Sequence, residues 1–246
     1  MSLSGNKSGN QFDLSEHVGE LFQSMTWYRR GVCGYRLTFE QGGQKIALAK
    51  PDRKNKCTLT DALSNRRSVR DYKADPVEIG LLANLLWATQ GMSFAHGDHV
   101  FKTAPSAGAL YPVDLWVAVF DVIGLDPGIY SYDEKQHCLY AVRIANFREN
   151  FFEACMNQNM LLHAPLLFMW VSNFNSCVWR YGQRAYRYIY LDAGHSAQNC
   201  ALACTAFGLG SCAIGAYYDD LMNHICGIDG EQKAVIYATS AGYPAS

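Results

Sequence analysis

The segment Tyr186–Asn199, with the sequence YRYIYLDAGHSAQN, lies inside a longer run from 184 to 207 that is rich in Ala, Gly, Ser and Cys. After Arg187, thiols aside, only Asp192 and His195 in this run can carry charge near neutral pH. A helix that is this apolar on all sides must be covered on most of them, and its small residues let another backbone approach closely. The run therefore predicts a long buried helix, covered either by the core of a large monomer or by a second subunit.

Composition limits what kind of protein this is. The chain has 246 residues, of which 49% are hydrophobic and 17% are charged, which suits one large domain or a domain with an arm. A formal net charge of −1 provides no basic field for nucleic acid or an anionic membrane. The longest apolar stretches, 115–120 and 164–171, are far shorter than the roughly 20 residues of a membrane helix. We expect neither a nucleic-acid partner nor a membrane partner.

The nine cysteines are scattered along the chain, and their spacings to one another and to histidines do not resemble those of a zinc site. Cys200, Cys204 and Cys212 lie among Ala and Gly, where free cysteine behaves as a small core residue. We therefore expect free thiols, no bound metal, and a protein of the reducing cytoplasm.

The remaining patterns predict helices and strands without a regular βαβ period, which indicates an α+β fold. Helices are predicted at 58–65, from Asp75-Pro76-Val77-Glu78 to Gln90, at 147–158 and at 220–226, and strands at 115–120, 128–133, 137–144, 165–171 and 233–241. Residues 133–136 read as a hairpin turn between two of these strands.

The N-terminal part is predicted to be separate from the main body. Asp13-Leu14-Ser15-Glu16 has the pattern of a helix N-terminus with a capping box. The polar, weakly patterned stretch 31–56 reads as an arm. We therefore divide the chain into a helix and arm at 1–56 and a main domain at 57–246.

A basic stretch, Arg66-Arg67-Ser68-Val69-Arg70, follows the short helix predicted at 58–65. In extended backbone Arg66, Ser68 and Arg70 share one side, and in a helix Arg66 and Arg70 share one face. Either geometry directs two guanidinium groups at one point, which suits a phosphate ester. A solvated basic turn is the alternative interpretation.

Two glycine-containing loops are the other candidate binding elements. In 103–112, TAPSAGALYP, two prolines bracket small residues, so the backbone is stiff at its ends and open to a flat ligand in the middle. In 208–216, GLGSCAIGA, Gly208 is a suitable helix stop. The second loop is also compatible with a simple tight turn into a strand.

Taken in order, five motifs resemble the FMN-dependent nitroreductase superfamily. They are RRSVR at 66–70, APSAGALYP at 104–112, GIYSYD at 128–133, YRYIYLDAGHSAQN at 186–199 and GLGSCAIGAY at 208–217. In detail they are most similar to the azoline-dehydrogenase (SagB-type) branch, whose members oxidise thiazoline or oxazoline rings in modified peptides.

The resemblance implies a nitroreductase-like α+β fold with a central antiparallel or mixed sheet flanked by helices. It also implies a homodimer with the long helix at the subunit interface and two FMN molecules bound there. The implied cofactor-binding residues are Arg66, Arg67, Ser68, Arg70, Pro105, Ser106, Ala107, Gly108, Leu110, Ala213, Ile214 and Gly215. Among them, Arg66 and Ser68 would hold the phosphate and ribityl chain, the residues at 105–110 would come from the other subunit, and those at 213–215 would lie against the ring.

The implied activity is hydride transfer through flavin N5 by a ping-pong mechanism, from NAD(P)H to a small acceptor such as an electron-poor aromatic or a quinone. Arg70 would lie near the N1–C2 edge of the ring, where a fixed cation stabilises the reduced flavin. Arg180 and Tyr181 complete the implied catalytic set.

Two departures from the family pattern leave alternatives open. Azoline-oxidising enzymes carry Lys-Tyr where this chain has Arg180-Tyr181, and arginine stays charged and cannot act as a base. The chain also lacks the basic residue that many relatives carry beyond Gly242-Tyr243-Pro244, so phosphate binding depends more on Arg66 and Arg67. The alternatives are an azoline dehydrogenase acting on a peptide with a partner complex, and a non-catalytic flavin-binding protein.

Overall fold

The computed structural model describes residues 17–32, 37, 40–52, 56–96 and 99–245. The strands are β1 Glu40–Gln41, β2 Lys45–Ala47, β3 Val77–Glu78, β4 Met92–His96, β5 His99–Lys102, β6 Val113–Val119, β7 Val122–Ile123, β8 Gly128–Asp133, β9 Cys138–Ile144, β10 Leu166–Asn173, β11 Gly210–Ile214 and β12 Lys233–Gly242. The α-helices are α1 Val18–Met25, α2 Leu59–Asn65, α3 Ile79–Gln90, α4 Arg148–Ala154, α5 Asn175–Tyr181, α6 Ala185–Ala206 and α7 Asp219–Cys226, and short 3₁₀ turns lie at Ala107–Ala109, Asn159–Leu162 and Gly182–Arg184.

The centre of the fold is an eight-stranded antiparallel sheet in the order β1-β9-β8-β6-β10-β12-β11, with β2 also paired to β9. Outside it, β4 and β5 form a hairpin, and β3 pairs with β7 in parallel. The predicted α+β class and the antiparallel sheet flanked by helices are confirmed.

Alternation along the strands divides the core into two layers, because successive side chains point to opposite faces of a sheet. On β6, Leu115 and Val117 belong to the cluster that packs against α3 and α6. Their neighbours Trp116 and Ala118 belong to the cluster on the other face, with α4 and α7. Helices therefore cover both faces of the sheet.

The long helix predicted at 184–207 is confirmed as α6, 22 residues from Ala185 to Ala206. Its inner side, which includes Ile189, Ala193 and Cys200, is buried against the sheet and α3. Its outer side is open in a single chain, where Leu191 is 53% exposed and Gly194 is exposed. A monomer therefore covers only part of this helix.

The predicted start of α3 is wrong. The capping pattern at Asp75-Pro76 placed the helix N-terminus there, whereas Val77–Glu78 forms β3 and the helix begins at Ile79. Val77 is fully buried, and its N–H donates to Asp121 O at 3.1 Å. Tertiary pairing here outweighs the local capping signal.

The helix predicted at 147–158 is shorter than expected. It ends at Ala154 as α4, and Met156 and Asn157 then take left-handed backbone conformations with φ of 56° and 58°. Left-handed residues cannot continue a right-handed helix. The other predicted strands and helices agree with the observed ones to within about two residues at each end, as boundary definitions allow.

The N-terminal residues are attached to the main domain by acidic side chains of α7. Tyr28 N–H donates to Asp219 Oδ2 at 2.9 Å, and Gly31 N–H donates to Asp220 Oδ2 at 2.7 Å. Burial raises the pKa of Asp219 to about 6. The capping box predicted at 13–16 lies outside the described residues, and the division at residue 56 stays a prediction, although β1 and β2 both pair with β9.

Eight cysteines fall within the described residues, and all eight are free thiols, with only Cys57 not fully buried. The described residues contain no cluster of His, Cys, Asp or Glu side chains that could hold a metal ion. Among the same residues, no helix is both long and apolar enough to cross a bilayer.

Candidate functional site

The basic stretch at 66–70 lies alongside the edge strand β11 in non-helical conformation. Ser68 and Ser211 form a parallel bridge, and Val69 N–H donates to Ser211 O at 3.0 Å. The close approach depends on Gly210, because a Cβ built there would lie 2.6 Å from Val69 Cβ. Val69 packs inward while its neighbours on either side, Ser68 and Arg70, are exposed.

This arrangement creates a cavity of about 120 Å³, called the anion cavity below. Its lining comes from the basic stretch, from β11 and β12, and from one side of α6. The lining residues are Arg66, Ser68, Gly194, Ala197, Gln198, Ala201, Ser211, Ala213, Tyr237 and Thr239.

Two polar groups of the anion cavity lack partners within the described part of the chain. Thr239 is 2% exposed, and its Oγ1 has no hydrogen-bond partner there. The Arg66 guanidinium takes part in none of the ion pairs among the described residues. Buried polar atoms are normally satisfied, and an unpaired hydroxyl beside an unpaired guanidinium matches the donor set that a phosphate group requires.

The neighbouring arginines are placed differently. The Arg67 guanidinium donates to the carbonyl oxygens of Ser64 and Arg66 at 2.9 and 2.8 Å, so it caps the end of α2 and does not line the cavity. Arg70 is exposed and lies near Cys212, where its charge opposes the rise in the pKa of that thiol caused by burial.

Residues 105–112, within the predicted loop TAPSAGALYP, are called the proline loop below, and this loop is fixed from within the chain by Asp192 of α6. Ser106 Oγ donates to Asp192 Oδ2 at 2.5 Å, and Ala107 N–H donates to Asp192 Oδ1 at 3.3 Å. Tyr111 N–H donates in turn to Ser106 Oγ at 2.9 Å. Burial raises the pKa of Asp192, and the hydrogen bonds from Ser106 and Ala107 oppose that rise.

The backbone of the proline loop is held in an uncommon conformation. Gly108, Ala109 and Tyr111 have φ of 61°, 53° and 49°. The left-handed region is unfavourable for residues other than glycine, so the surrounding contacts must maintain it. The bonds from Ser106 and Ala107 to Asp192 are contacts of this kind at the start of the strained segment, and the bond from Tyr111 N–H to Ser106 Oγ holds its end.

The predicted catalytic residues Arg180 and Tyr181 lie at the end of α5, directly over the proline loop. A Cβ built on Gly108 would overlap the Tyr181 hydroxyl and lie 3.3 Å from Arg180 Nη1. The structure therefore brings Arg180 and Tyr181 together with the residues predicted at 105–110.

The anion cavity and the proline loop lie on opposite sides of α6 in one chain. Gly194 faces the cavity, whereas Asp192 faces the loop. Side chains two residues apart on a helix point in directions about 160° apart, since each residue turns the helix by about 100°. The two elements therefore open in nearly opposite directions about α6 within one chain.

The three residues predicted near the cofactor ring differ in exposure and in the surface that they line. Ala213 is exposed and lines the anion cavity. The Ile214 side chain is 1% exposed and belongs to the core cluster on the α4 and α7 face, so only its backbone is open to a ligand. Gly215 is exposed, and its Cβ position is open.

Several residues of the site were missed from the sequence. Asp192 was noted only as a rare charge in an apolar helix, and that isolation was the available signal. Thr239 and Ser240 form a polar pair in an otherwise apolar strand, which was a usable signal for Thr239. No sequence signal indicated Tyr237 and Gln198, because they reach the cavity only through tertiary packing.

A family model described as the nitroreductase family matches residues 63–243. The chain belongs to the nitroreductase family. The predicted superfamily and the predicted class, an oxidoreductase of nitroreductase type, are thereby confirmed. This nitroreductase-family chain is 34% identical over 183 residues to a protein of Methanocaldococcus jannaschii that is named as a nitroreductase, a match covering 74% of this chain and 90% of the relative.

Two further proteins are similar to parts or most of this family member. A crystal structure of a nitroreductase from Anabaena variabilis superposes with a TM-score of 0.72 at 31% identity, covering 82% of this chain and 42% of the other. The trifolitoxin-processing protein TfxB of Rhizobium leguminosarum bv. trifolii is 32% identical over 124 residues, or 47% of this chain and 32% of TfxB. This chain is thus similar both to proteins named as nitroreductases and to part of a protein named for processing a peptide toxin.

Proposed function

We propose that this chain forms a homodimer that binds FMN at the subunit interface and transfers hydride between a donor such as NAD(P)H and a small acceptor. FMN supplies the hydride chemistry at its N5 atom. The observation that carries the proposal is the anion cavity, in which Arg66 and Ser68 meet the hydroxyl of Thr239, which has no hydrogen-bond partner among the described residues.

Within this proposal the residues of the chain bind and orient the cofactor. Arg66 and Ser68 bind its phosphate, Arg70 supplies positive charge near the ring, and the proline loop of the other subunit covers it. The volume of about 120 Å³ is below the roughly 300 Å³ of a small ligand pocket, so the cavity suits the phosphate alone. The ring then lies on the open side of α6, where a second chain is needed to enclose it.

The proposal is tested by the substitution Arg66→Ala, assayed with FMN and with riboflavin, which lacks the phosphate. Loss of a charge-assisted contact is expected to weaken FMN binding about 30-fold while riboflavin binding changes little. Arg67→Ala is the matched control, because the Arg67 guanidinium is already bound to backbone carbonyls. Dissociation constants from flavin fluorescence quenching give the result.

Equal weakening by the two variants, or unchanged FMN affinity in Arg66→Ala, would contradict the phosphate role of Arg66. Circular dichroism of each variant separates a lost contact from a lost fold. Oxidation of NADH or NADPH by the wild-type protein with a quinone identifies the donor.

The likeness to a trifolitoxin-processing protein favours a second candidate function, dehydrogenation of an azoline ring in a peptide. Such a reaction removes a ring proton and needs a base, for which Tyr181 is available and Arg180 is not. Oxidation of a thiazoline peptide without added nicotinamide would support this candidate over the first.

A further inference from the structure

Arg180 and Tyr181 are the polar groups that lie over the apex of the proline loop. Their contact with Gly108 is so close that any side chain at that position would displace the Tyr181 hydroxyl. Gly108 also has φ of 61°, which favours glycine for its backbone alone. Both properties keep the apex bare and bring the two side chains down onto the backbone.

Neighbouring aromatic rings fix the position of this pair. Arg180 Cζ lies 5.5 Å from the Tyr181 ring centroid, in a cation–π arrangement. The Tyr181 and Tyr188 rings meet edge to face with centroids 5.0 Å apart. Arg184 Nε donates to the Tyr188 hydroxyl at 3.2 Å and so holds that second ring in place.

The functional ends of the pair make no hydrogen bond or ion pair with the described residues. None of the ion pairs there includes Arg180. Arg180 is exposed, and the Tyr181 hydroxyl, which overlies Gly108, makes no hydrogen bond with a described group. A fork of N–H donors and a phenolic O–H donor are therefore presented side by side, without an acceptor supplied by the described chain.

We propose that Arg180 and Tyr181 bind the carboxylate of an anionic, planar acceptor at the flavin site. A guanidinium fork matches a carboxylate in shape and charge, and the phenol donates one further hydrogen bond to it. The inference rests on the proposed function, since the proline loop borders the substrate only if it covers the flavin. This proposal gives Arg180 a role in substrate selection. The permanent positive charge of its guanidinium, which prevents Arg180 from acting as a base, is what this role requires.

The test compares two acceptors that differ in charge, 4-nitrobenzoate and 4-nitrobenzyl alcohol, with wild type and Arg180→Gln. The variant is expected to raise KM for 4-nitrobenzoate about tenfold, the cost of one charged hydrogen-bonded contact, and to change KM for the alcohol less than about twofold. Arg180→Lys is expected to recover only part of the loss, because an ammonium lacks the planar fork.

Arg29→Gln is the matched control. It removes the same charge from an exposed arginine that also lies over an aromatic ring, with Arg29 Cζ 5.1 Å from the Trp27 ring centroid, but this arginine lies near Asp219 of α7 and does not contact Gly108. We expect it to leave KM for both acceptors within about twofold of wild type, since an exposed charge outside the site is largely screened.

A binding measurement without turnover separates this inference from the proposed function. Isothermal titration of the purified protein with benzoate and with benzyl alcohol is expected to show a benzoate dissociation constant about tenfold weaker in Arg180→Gln, and about threefold weaker in Tyr181→Phe. Equal effects of Arg180→Gln on both ligands, or no preference of wild type for benzoate, would overturn the carboxylate site. A protein that retains no flavin and reduces neither acceptor would overturn the proposed function, while the benzoate titration would still decide the anion site.

Discussion

The anion cavity and the proline loop differ in how far the chain satisfies its own polar groups. In the proline loop, Ser106, Ala107 and Tyr111 are joined in one hydrogen-bonded set around Asp192. In the anion cavity, the hydroxyl of Thr239 remains buried without a partner in the described chain. The comparison shows that the chain satisfies the polar groups of the proline loop by itself, whereas it leaves polar groups of the anion cavity available to a ligand.

The largest expected effect tests whether the two elements act across a dimer. Leu191→Glu places a charge on the open side of α6, where Leu191 is 53% exposed. If that side is covered by a second chain, burying the carboxylate without a partner should abolish the dimer and flavin retention together. Sedimentation velocity with absorbance at the protein and flavin wavelengths measures both.

Leu162→Glu is the control for that change. Leu162 is 40% exposed and belongs to the 3₁₀ turn beside α4, on the other face of the sheet. We expect it to leave the dimer intact. A yellow dimer of Leu191→Glu would contradict the subunit arrangement.

The next largest effect is expected in the proline loop, whose polar groups are hydrogen-bonded within the chain. Asp192→Ala removes the acceptor of Ser106 and Ala107 and is expected to lower the free energy of unfolding of the flavin-free protein by about 2 kcal/mol. Asp114→Ala is the control, because Asp114 pairs with Lys233 at the surface, where both side chains are more than a third exposed. That change should cost about 0.5 kcal/mol.

Urea unfolding at equilibrium measures both variants. The Asp192 variant is also expected to lose FMN, because the proline loop is no longer held in its left-handed conformation. A stability loss no greater than that of Asp114→Ala would show that the loop does not depend on Asp192.

The smallest expected effect is on the free energy of unfolding, and its sign differs between two threonine-to-valine substitutions. Thr239→Val removes an unpartnered hydroxyl, so the flavin-free protein should be unchanged or more stable by up to about 1 kcal/mol, while FMN binding weakens about fivefold. Thr89→Val removes a satisfied hydroxyl, which donates to Leu85 O at 2.7 Å. We expect a stability loss of about 1 kcal/mol there, with FMN binding unchanged.

Unfolding curves and FMN titrations give a change in stability and a change in FMN affinity for each variant. The prediction requires weaker FMN binding without a stability loss in Thr239→Val, and a stability loss without weaker FMN binding in Thr89→Val. A stability loss in Thr239→Val would mean that its hydroxyl is already satisfied without a ligand.

Much of the fold was predictable because its strongest signals are local. The small, mostly uncharged residues of α6 and the short continuous apolar runs of β6 and β10 identify buried elements from local sequence alone. The start of α3 was not predictable in this way, since Val77 is drawn into a strand by its contact with Asp121, distant in sequence. The predicted residues of the site show the same difference between local signals and tertiary packing.

Arg66, Ser68 and Ala213 meet at one cavity as the motifs indicated, because short segments carry them to the same edge of the sheet. Arg67 and Ile214 lie within the same motifs, yet the guanidinium of Arg67 caps a helix and the side chain of Ile214 fills the core. A motif in a single sequence gives position along the chain, whereas the direction of each side chain is set by elements that pack from elsewhere.

The bridge between Ser68 and Ser211 has an effect beyond ligand binding. β11 ends the sheet, and an uncovered terminal strand offers unpaired N–H and C=O groups to any other chain that can extend it. The basic stretch at 66–70 occupies part of that edge, so it also shields the protein from strand-to-strand aggregation. Mutations that displace this segment from β11 would expose the edge strand and make the protein prone to precipitate, and if the proposed phosphate site is correct the same variants would also lose flavin.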